Sequence, residues 1–293
     1  MDPLASRQFT DSPLPAEETV ARPAPSKAEL QRRVSELGAI QPWNHNFRLP
    51  YGVETSPGWQ TSQGKNLVKW SRLRSPLELI GAAGKRILDV GCGEGFFSFR
   101  LAEMGGDVFG IDIDKNRIAK AEFIRSVLNP GRVRFQDMGI YSEDFLLLPR
   151  FDLCLCLGFL HRVPDPFIAI SRLAGKANLL LLEWKVLKFG PHDEPFAYFS
   201  ARRDDAADSF SKQYWLLSYA AVEAMLDCLG FGFFHRIDDP KQRRAILVAG
   251  KIDNPIFHIP DVIHHRGRVR ALLSHTKRYI LTVAKVLSGR INS

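Results

Sequence analysis

The sequence predicts an α/β fold, with seven mostly parallel strands in a doubly wound sheet and helices on both faces. Short apolar runs alternate with amphipathic stretches between residues 84 and 252, which is the pattern of strands joined by helices. The chain has 293 residues, enough for a domain of about 200 residues with an extension at each end. A glycine-rich turn after the first apolar run marks the sheet edge where a ligand would bind.

The individual elements follow from this alternation. The predicted strands are Arg86–Val90, Asp107–Ile111, Val133–Gln136, Phe151–Leu157, Ala177–Glu183, Phe231–Ile237 and Ala245–Gly250. The predicted helices are Leu30–Leu37, Phe96–Met104, Lys115–Val127, Pro166–Leu173 and Ala220–Leu229. An insertion between the fifth strand and the last helix, residues 185–213, is either a lid over an acceptor substrate or a solvated surface loop.

Four parts are expected along the chain. Residues 1–27 hold five of the 18 prolines and few large apolar groups, which predicts a disordered leader. Residues 28–83 form an N-terminal lid segment, and residues 84–252 form the core domain. Residues 253–293 are a basic tail.

The tail carries most of the formal net charge of +8. Residues 262–293 contain seven Lys or Arg and no Asp or Glu, so the rest of the chain is nearly neutral. Apolar residues at three- and four-residue intervals predict an amphipathic cationic helix there (Val269, Leu272, Leu273, Ile280, Val283 and Leu287). Three roles fit such a helix: packing on the core, lying on an anionic membrane surface, or contacting RNA phosphates.

The cysteines and the hydropathy of the chain indicate whether it binds a metal and where in the cell it is located. The four cysteines show no metal-ligand spacing, and the adjacent His264 and His265 lack further ligands, so no metal site is predicted. No apolar run resembles a signal peptide or a membrane span. We therefore expect a cytoplasmic protein, with peripheral membrane contact through the tail as an option.

The glycine-rich turn consists of Gly91, Gly93 and Gly95, directly after a strand that contains Asp89. Glycines let the backbone approach a ligand closely, and the following helix aims its N-terminal amides at that ligand. Dinucleotide-binding folds place a third glycine where this chain has Phe96, so that class does not fit.

The string Ile87 to Gly95, ILDVGCGEG, instead resembles the first motif of class I S-adenosylmethionine-dependent methyltransferases, which have a Rossmann-like fold. The resemblance implies S-adenosylmethionine as cofactor and methyl transfer as the reaction. It also implies the strand order 3-2-1-4-5-7-6, with the last strand antiparallel.

Asp112 ends the second predicted strand, 21 residues after Gly91. A carboxylate there can accept hydrogen bonds from both ribose hydroxyls of a nucleoside, whereas the helix N-cap role better suits Asp114. By resemblance, the backbone of Met138, Gly139 and Ile140 contacts adenine.

After the fourth strand, Gly158 permits close approach to the ligand. His161 is either an acceptor-side base or orienter, or a helix-capping or surface histidine beside a Pro-rich turn. In the resembling family, the residues after this strand line the floor between methyl donor and acceptor.

A second resemblance covers roughly residues 42–251. Pro42-Trp43, Tyr51-Gly52-Val53, Trp59, Lys69-Trp70 and the run Arg244 to Ala249 look like segments of tRNA wobble-uridine carboxymethyltransferases. That family binds carboxy-S-adenosylmethionine, and Arg244 matches an arginine assigned to the extra carboxylate. His45 and His161 stand in place of the family's lysine and tyrosine. Because neutral histidines supply no fixed charge, we expect plain S-adenosylmethionine as the donor.

Three functions remain open from the sequence. The leading one is methyl transfer to an O or N nucleophile of a small metabolite, glycan or lipid precursor, with His161 and His45 as the candidate catalytic side chains. The others are a tRNA wobble-uridine (carboxy)methyltransferase and a non-catalytic cofactor-binding scaffold. A tRNA enzyme predicts a basic surface around the pocket mouth, whereas the core sequence is nearly neutral.

Overall fold

The structure is a computed structural model of the chain, and it describes residues 24–57, 63–128, 131–186, 193–201, 213–237 and 244–251. The helices are α1 Lys27–Ile40, α2 Gln63–Ile80, α3 Phe96–Glu103, α4 Lys115–Leu128, α5 Glu143–Leu147, α6 Pro166–Lys176 and α7 Tyr219–Asp227. The strands are β1 Arg86–Val90, β2 Asp107–Asp112, β3 Val133–Asp137, β4 Leu153–Leu157, β5 Leu179–Lys185, β6 Ala197–Ala201, β7 Gln213–Leu217, β8 Phe231–Arg236 and β9 Arg244–Lys251.

Seven of these strands form the main sheet, in the order β3-β2-β1-β4-β5-β9-β8. Strand β1 pairs in parallel with β2 and β4, β2 pairs in parallel with β3, and β9 runs antiparallel to β5 and β8. Counted as seven sheet strands along the chain, this order is 3-2-1-4-5-7-6. The predicted fold class and strand order are therefore confirmed.

The chain divides into two compact units, the first within Met1–Leu157 and Gly175–Ala177 and the second within Gly158–Ala174 and Asn178–Ser293. In the first unit, strand β1 buries four consecutive residues after Arg86, as expected for a parallel strand covered on both faces. Helix α3 covers this region with the buried residues Phe96, Phe97 and Phe99. Gly91–Gly95 connects β1 to α3, so the turn begins at the carboxyl end of the strand.

The second unit is organised around strand β5, whose residues from Leu179 to Trp184 are all buried. The Trp184 indole N–H donates a 2.8 Å hydrogen bond to the Leu217 carbonyl, and its ring meets Tyr219 edge-on. The Tyr219 hydroxyl in turn accepts a hydrogen bond from the Ile246 amide. These contacts tie β5, β7, α7 and β9 together.

Several elements differ from the sequence-based expectation. Helix α2 was not predicted; it has Pro76 in its interior and no clear apolar stripe. The insertion at residues 185–213 contains β6, which pairs with β7 as a two-stranded sheet. The fourth strand begins at Leu153 rather than Phe151, because Phe151 forms only an isolated bridge with Ala177.

The parts expected at the two ends lie mostly outside the described residues. The leader overlaps them only from residue 24 onward, and the tail from residue 253 onward lies wholly outside them, as do His264 and His265. Among the residues that are described, no helix is long and apolar enough to cross a membrane.

An ion-pair cluster in the second unit links strand β8 to helix α7. The Arg236 guanidinium on β8 donates two hydrogen bonds to Glu223 on α7, at 2.6 and 2.8 Å, and one to Asp193 at 2.6 Å. Glu223 is buried, so its charge depends on this partner.

Arg236→Ala should lower the free energy of unfolding by about 2–4 kcal/mol, because it leaves the Glu223 carboxylate buried without its cation. Arg74→Ala, which breaks the exposed pair with Glu78, is the control and should cost at most about 1 kcal/mol. Urea unfolding of both variants measures the difference. Equal losses for the two variants would contradict this account.

Candidate nucleoside site

The glycine-rich turn follows β1, and its backbone is held against the neighbouring strand β2. The amides of Gly91 and Cys92 both donate to the Ile111 carbonyl, at 2.8 and 3.0 Å. Gly95 precedes α3 with φ 82°, in the left-handed region that favours glycine. A Cβ atom on Gly95 would lie 2.6 Å from the Phe135 ring, so a side chain is excluded there on steric grounds as well.

Asp112 faces this turn from the carboxyl end of β2. Its Oδ2 accepts a hydrogen bond from the Gly93 amide, and its Oδ1 accepts one from the Asp114 amide, each at 3.0 Å. A carboxylate offers about four acceptor positions, so two remain for other donors such as the two ribose hydroxyls. Burial raises the pKa of Asp112, although the hydrogen bonds from Asp114 and Gly93 partly oppose this effect.

Asp114 has the N-cap role that the sequence indicates. Its Oδ1 accepts hydrogen bonds from the amides of Asn116 and Arg117 at the start of α4. Helix capping is therefore done by Asp114, and the remaining acceptor positions of Asp112 are not needed for it.

Asp89 is a buried carboxylate just before the turn, with 2% of its surface exposed. Its Oδ2 accepts a 2.6 Å hydrogen bond from the Ser98 hydroxyl on α3. Burial raises the pKa of Asp89 from 3.8 to about 6, and the nearby Asp112 charge adds to this, against the opposing Ser98 hydrogen bond. An ionised carboxylate at this depth destabilises the folded state unless a ligand with positive charge compensates it.

The segment after β3 is held next to Asp112. The Met138 amide donates to the Asp112 carbonyl at 3.0 Å, and the side chains of Met138 and Ile140 are buried in the core. A Cβ on Gly139 would lie 2.9 Å from the Ile113 side chain. The backbone of Met138–Ile140 thus lies beside the carboxyl end of β2, where the sequence places the adenine contact.

His45 also lies at this site, brought there by the N-terminal lid segment. Its Cε1 atom is 3.8 Å from the position of a Cβ on Gly93, and its ring stacks on Phe96 with centroids 5.5 Å apart. The amides of Asn44 and His45 donate to the Glu94 carboxylate at 2.9 and 2.8 Å. In the first unit the structure therefore brings together Asp89, the three glycines, Asp112, Met138–Ile140 and His45.

Glu94 and Lys120 are the site residues that sequence reasoning missed. Both side chains are buried, and Lys120 Nζ lies 3.4 Å from Glu94 Oε1. The acidic residue between two motif glycines is visible in the sequence, but its partner is 26 residues away on α4. No sequence signal distinguishes Lys120 from the solvated Lys115 of the same helix.

The other predicted site residues lie in the second unit. Gly158, with φ 73°, donates its amide to the Glu183 carbonyl at 2.8 Å. The Glu183 side chain is buried, and its Oε1 lies 3.1 Å from Arg244 Nη1. His161 lies in the short 3₁₀ helix Leu160–Arg162 and is fully buried, which excludes the surface-histidine interpretation. The Arg244 guanidinium thus already has a carboxylate partner.

Comparison with known proteins agrees with this geometry. Residues 82–181 match the family model described as "Methyltransferase domain". A tRNA U34 carboxymethyltransferase of Haemophilus influenzae (strain PittEE) is 30% identical over 216 residues, which are 70% of this chain and 61% of the relative. A ubiquinone biosynthesis O-methyltransferase of Psychrobacter cryohalolentis is 35% identical over 88 residues, 30% of this chain and 34% of that protein. The chain thus spans about three fifths of the length of the first of these relatives.

Among solved structures, the N-terminal domain of EvdMO1 in the presence of SAH and D-fucose has a TM-score of 0.62 and 24% identity, covering 78% of this chain and 97% of that domain. The predicted class is confirmed for this region: residues 82–181 carry a methyltransferase domain, and the sheet has the fold of class I S-adenosylmethionine-dependent methyltransferases.

The raised pKa of Asp89 makes a prediction about stability and pH. Between about pH 4 and 6, Asp89 is still protonated in the folded protein but already ionised in the unfolded chain. Its contribution to the free energy of unfolding is therefore fully present at low pH and is lost as the pH rises through about 6. Asp89→Asn keeps an acceptor for Ser98 but removes the charge. The variant should be more stable than the wild type above pH 6, by up to about 3 kcal/mol, with the difference vanishing near pH 4. Urea unfolding of both proteins across this range measures it, and a difference that does not change with pH would contradict the assignment.

Proposed function

We propose that this chain transfers a methyl group from S-adenosylmethionine to an O or N nucleophile of a small metabolite, glycan or lipid precursor. The observation that carries the proposal is the Asp112 carboxylate, hydrogen-bonded to the Gly93 amide with acceptor positions left for two ribose hydroxyls. The intact glycine turn and Asp112 disfavour the third alternative, a non-catalytic cofactor-binding scaffold.

The residues present fit this cofactor. A Cβ atom on Gly93 would have its nearest side-chain neighbours at 3.8 Å, so a ligand can approach the backbone there. The buried Asp89 carboxylate supplies negative charge beside the turn. The cofactor, when bound, supplies an activated methyl group on a positively charged sulfur. The chain's own contribution is to orient the nucleoside, to exclude water and to hold the reactants in line.

His45 and His161 are the candidate bases for the acceptor. The Nδ1 atom of His45 lies 3.3 Å from Glu94 Oε2, so Nε2 is the nitrogen available to accept a proton. His161 is buried at the end of the segment after β4, where its imidazole can orient a nucleophile. Either role requires the acceptor to reach the imidazole within hydrogen-bond distance.

The charges around these residues support the plain cofactor over its carboxylated form. Arg244, which the tRNA-enzyme resemblance assigns to the extra carboxylate, lies 3.1 Å from the buried Glu183. His45, which replaces a lysine of that family, lies beside the anionic Glu94. Each of these two side chains thus has an anionic neighbour of its own, which would oppose the binding of an extra carboxylate there.

A tRNA wobble-uridine (carboxy)methyltransferase is the second candidate function. Its support is the identity of 28–30% to several tRNA U34 carboxymethyltransferases, including one from Glaesserella parasuis. The alignments with the two such relatives cover 61% and 64% of those proteins. Peripheral membrane contact through the tail and a cytoplasmic location likewise stay predictions.

Purified protein should bind S-adenosylhomocysteine with micromolar or better affinity, and Asp112→Ala should weaken binding by about 1.5–3 kcal/mol, the cost of deleting a charged hydrogen-bond partner. Asp107→Ala is the matched control, because it removes an aspartate from the opposite end of the same strand. Titration calorimetry gives both values. Absence of binding by the wild type, or binding of NAD instead, would contradict the proposed function.

Competition between S-adenosylmethionine and carboxy-S-adenosylmethionine near pH 7.5 tests the donor. We expect roughly ten-fold tighter binding of the plain form, because the Arg244 charge is already paired with Glu183 and His45 supplies no fixed charge. A preference for the carboxylated form would make the tRNA reaction the leading proposal. Mass spectrometry of metabolites and of tRNA from cells with and without the gene then identifies the acceptor.

A further inference from the structure

The Glu94 carboxylate lies within the glycine-rich turn but binds the lid segment. It is fully buried, and it accepts hydrogen bonds from the Asn44 amide on Oε1 and the His45 amide on Oε2. Burial alone would raise the pKa of Glu94, but the His45 side chain, the Asn44 amide and the Lys120 charge outweigh it and lower the pKa below its ordinary value. The carboxylate is therefore a fixed anion at neutral pH.

Lys120 completes the connection from helix α4. Its ammonium group is fully buried and donates to the carbonyl oxygens of Gln41 at 2.6 Å and Pro42 at 3.0 Å, with Glu94 Oε1 at 3.4 Å. An ammonium has three donors, and these three acceptors match that number. Nζ also lies 4.8 Å from the centroid of the Trp43 ring. Every residue from Gln41 to His45 thus contacts Glu94 or Lys120.

These contacts also restrain the His45 imidazole. The backbone amides of Asn44 and His45 are held by Glu94. The imidazole stacks on the Phe96 ring and meets the Phe47 ring edge-on, with the latter centroids 6.2 Å apart. A carboxylate 3.3 Å from Nδ1 favours the proton on that nitrogen and leaves the lone pair on Nε2. These contacts restrain the ring, and the nearby carboxylate favours the Nδ1–H tautomer.

We propose that Glu94 is a positioning residue, which together with Lys120 clamps residues 41–45 onto the glycine-rich turn and holds His45 in the Nδ1–H tautomer for the reaction. The proposal rests on the proposed function, because the clamp acts on methyl transfer only if the turn binds the cofactor. A merely structural ion pair would stabilise the fold without setting the tautomer of His45 or the affinity for the cofactor.

Glu94→Gln tests the clamp, with Glu103→Gln as the matched control because Glu103 forms an exposed ion pair with Arg100 on helix α3. Two quantities are measured: S-adenosylhomocysteine affinity by calorimetry, and the His45 tautomer by nitrogen-15 NMR of the labelled imidazole, assigned by its loss in His45→Gln. We expect Glu94→Gln to weaken binding about ten-fold and to shift His45 toward the Nε2–H tautomer, with neither changed in Glu103→Gln.

Unchanged affinity together with an unchanged tautomer in Glu94→Gln would overturn the proposal. If the wild type fails to bind S-adenosylhomocysteine, the proposed function fails, whereas the tautomer measurement still tests the clamp. If Glu94→Gln does not fold, the double variant Glu94→Gln/Lys120→Met replaces the buried ion pair with neutral side chains of similar size. The double variant should fold and show the same two effects, and wild-type behaviour in it would also overturn the proposal.

Discussion

The hydrogen bond from the Gly93 amide to the Asp112 carboxylate is the contact on which the rest of the site depends. It joins the turn after β1 to the end of β2, and it requires the left-handed backbone of the glycine turn, with φ 59° at Gly93. The parallel pairing of β1 with β2 brings these two strand ends to the same edge of the sheet. A ligand that binds the turn therefore meets an oriented carboxylate, which is the condition for recognising a ribose.

Burial of ionisable side chains at this turn destabilises the folded state unless other groups compensate their charge. Asp89, Glu94 and Lys120 are all removed from water within or next to the turn. Glu94 and Lys120 compensate one another through a 3.4 Å contact and through backbone groups of the lid segment, whereas Asp89 has Ser98 as its hydrogen-bond donor. Asp89 keeps a raised pKa, because its burial outweighs the Ser98 hydrogen bond and the Lys69 charge.

Much of the fold and part of the site follow from local sequence. Strand β1 was predicted with its observed bounds, because a buried parallel strand is a largely apolar run, interrupted here by Asp89 and ended by glycine. Asp112 was identifiable because the position of a strand end can be counted from the motif. Glu94–Lys120 could not be predicted, since a pair formed across the chain leaves no periodic signal. The strand pair β6 and β7 was missed because its two strands are separated by residues 202–212 rather than by a tight turn.

The most direct test of the account is a crystal structure of the protein with S-adenosylhomocysteine. In that structure we expect both ribose hydroxyls within hydrogen-bond distance of the Asp112 carboxylate and adenine beside the backbone of Met138–Ile140. We also expect Glu94 still to accept hydrogen bonds from the amides of Asn44 and His45. A nucleoside bound elsewhere, or one that leaves Asp112 without a ribose contact, would contradict the central claim.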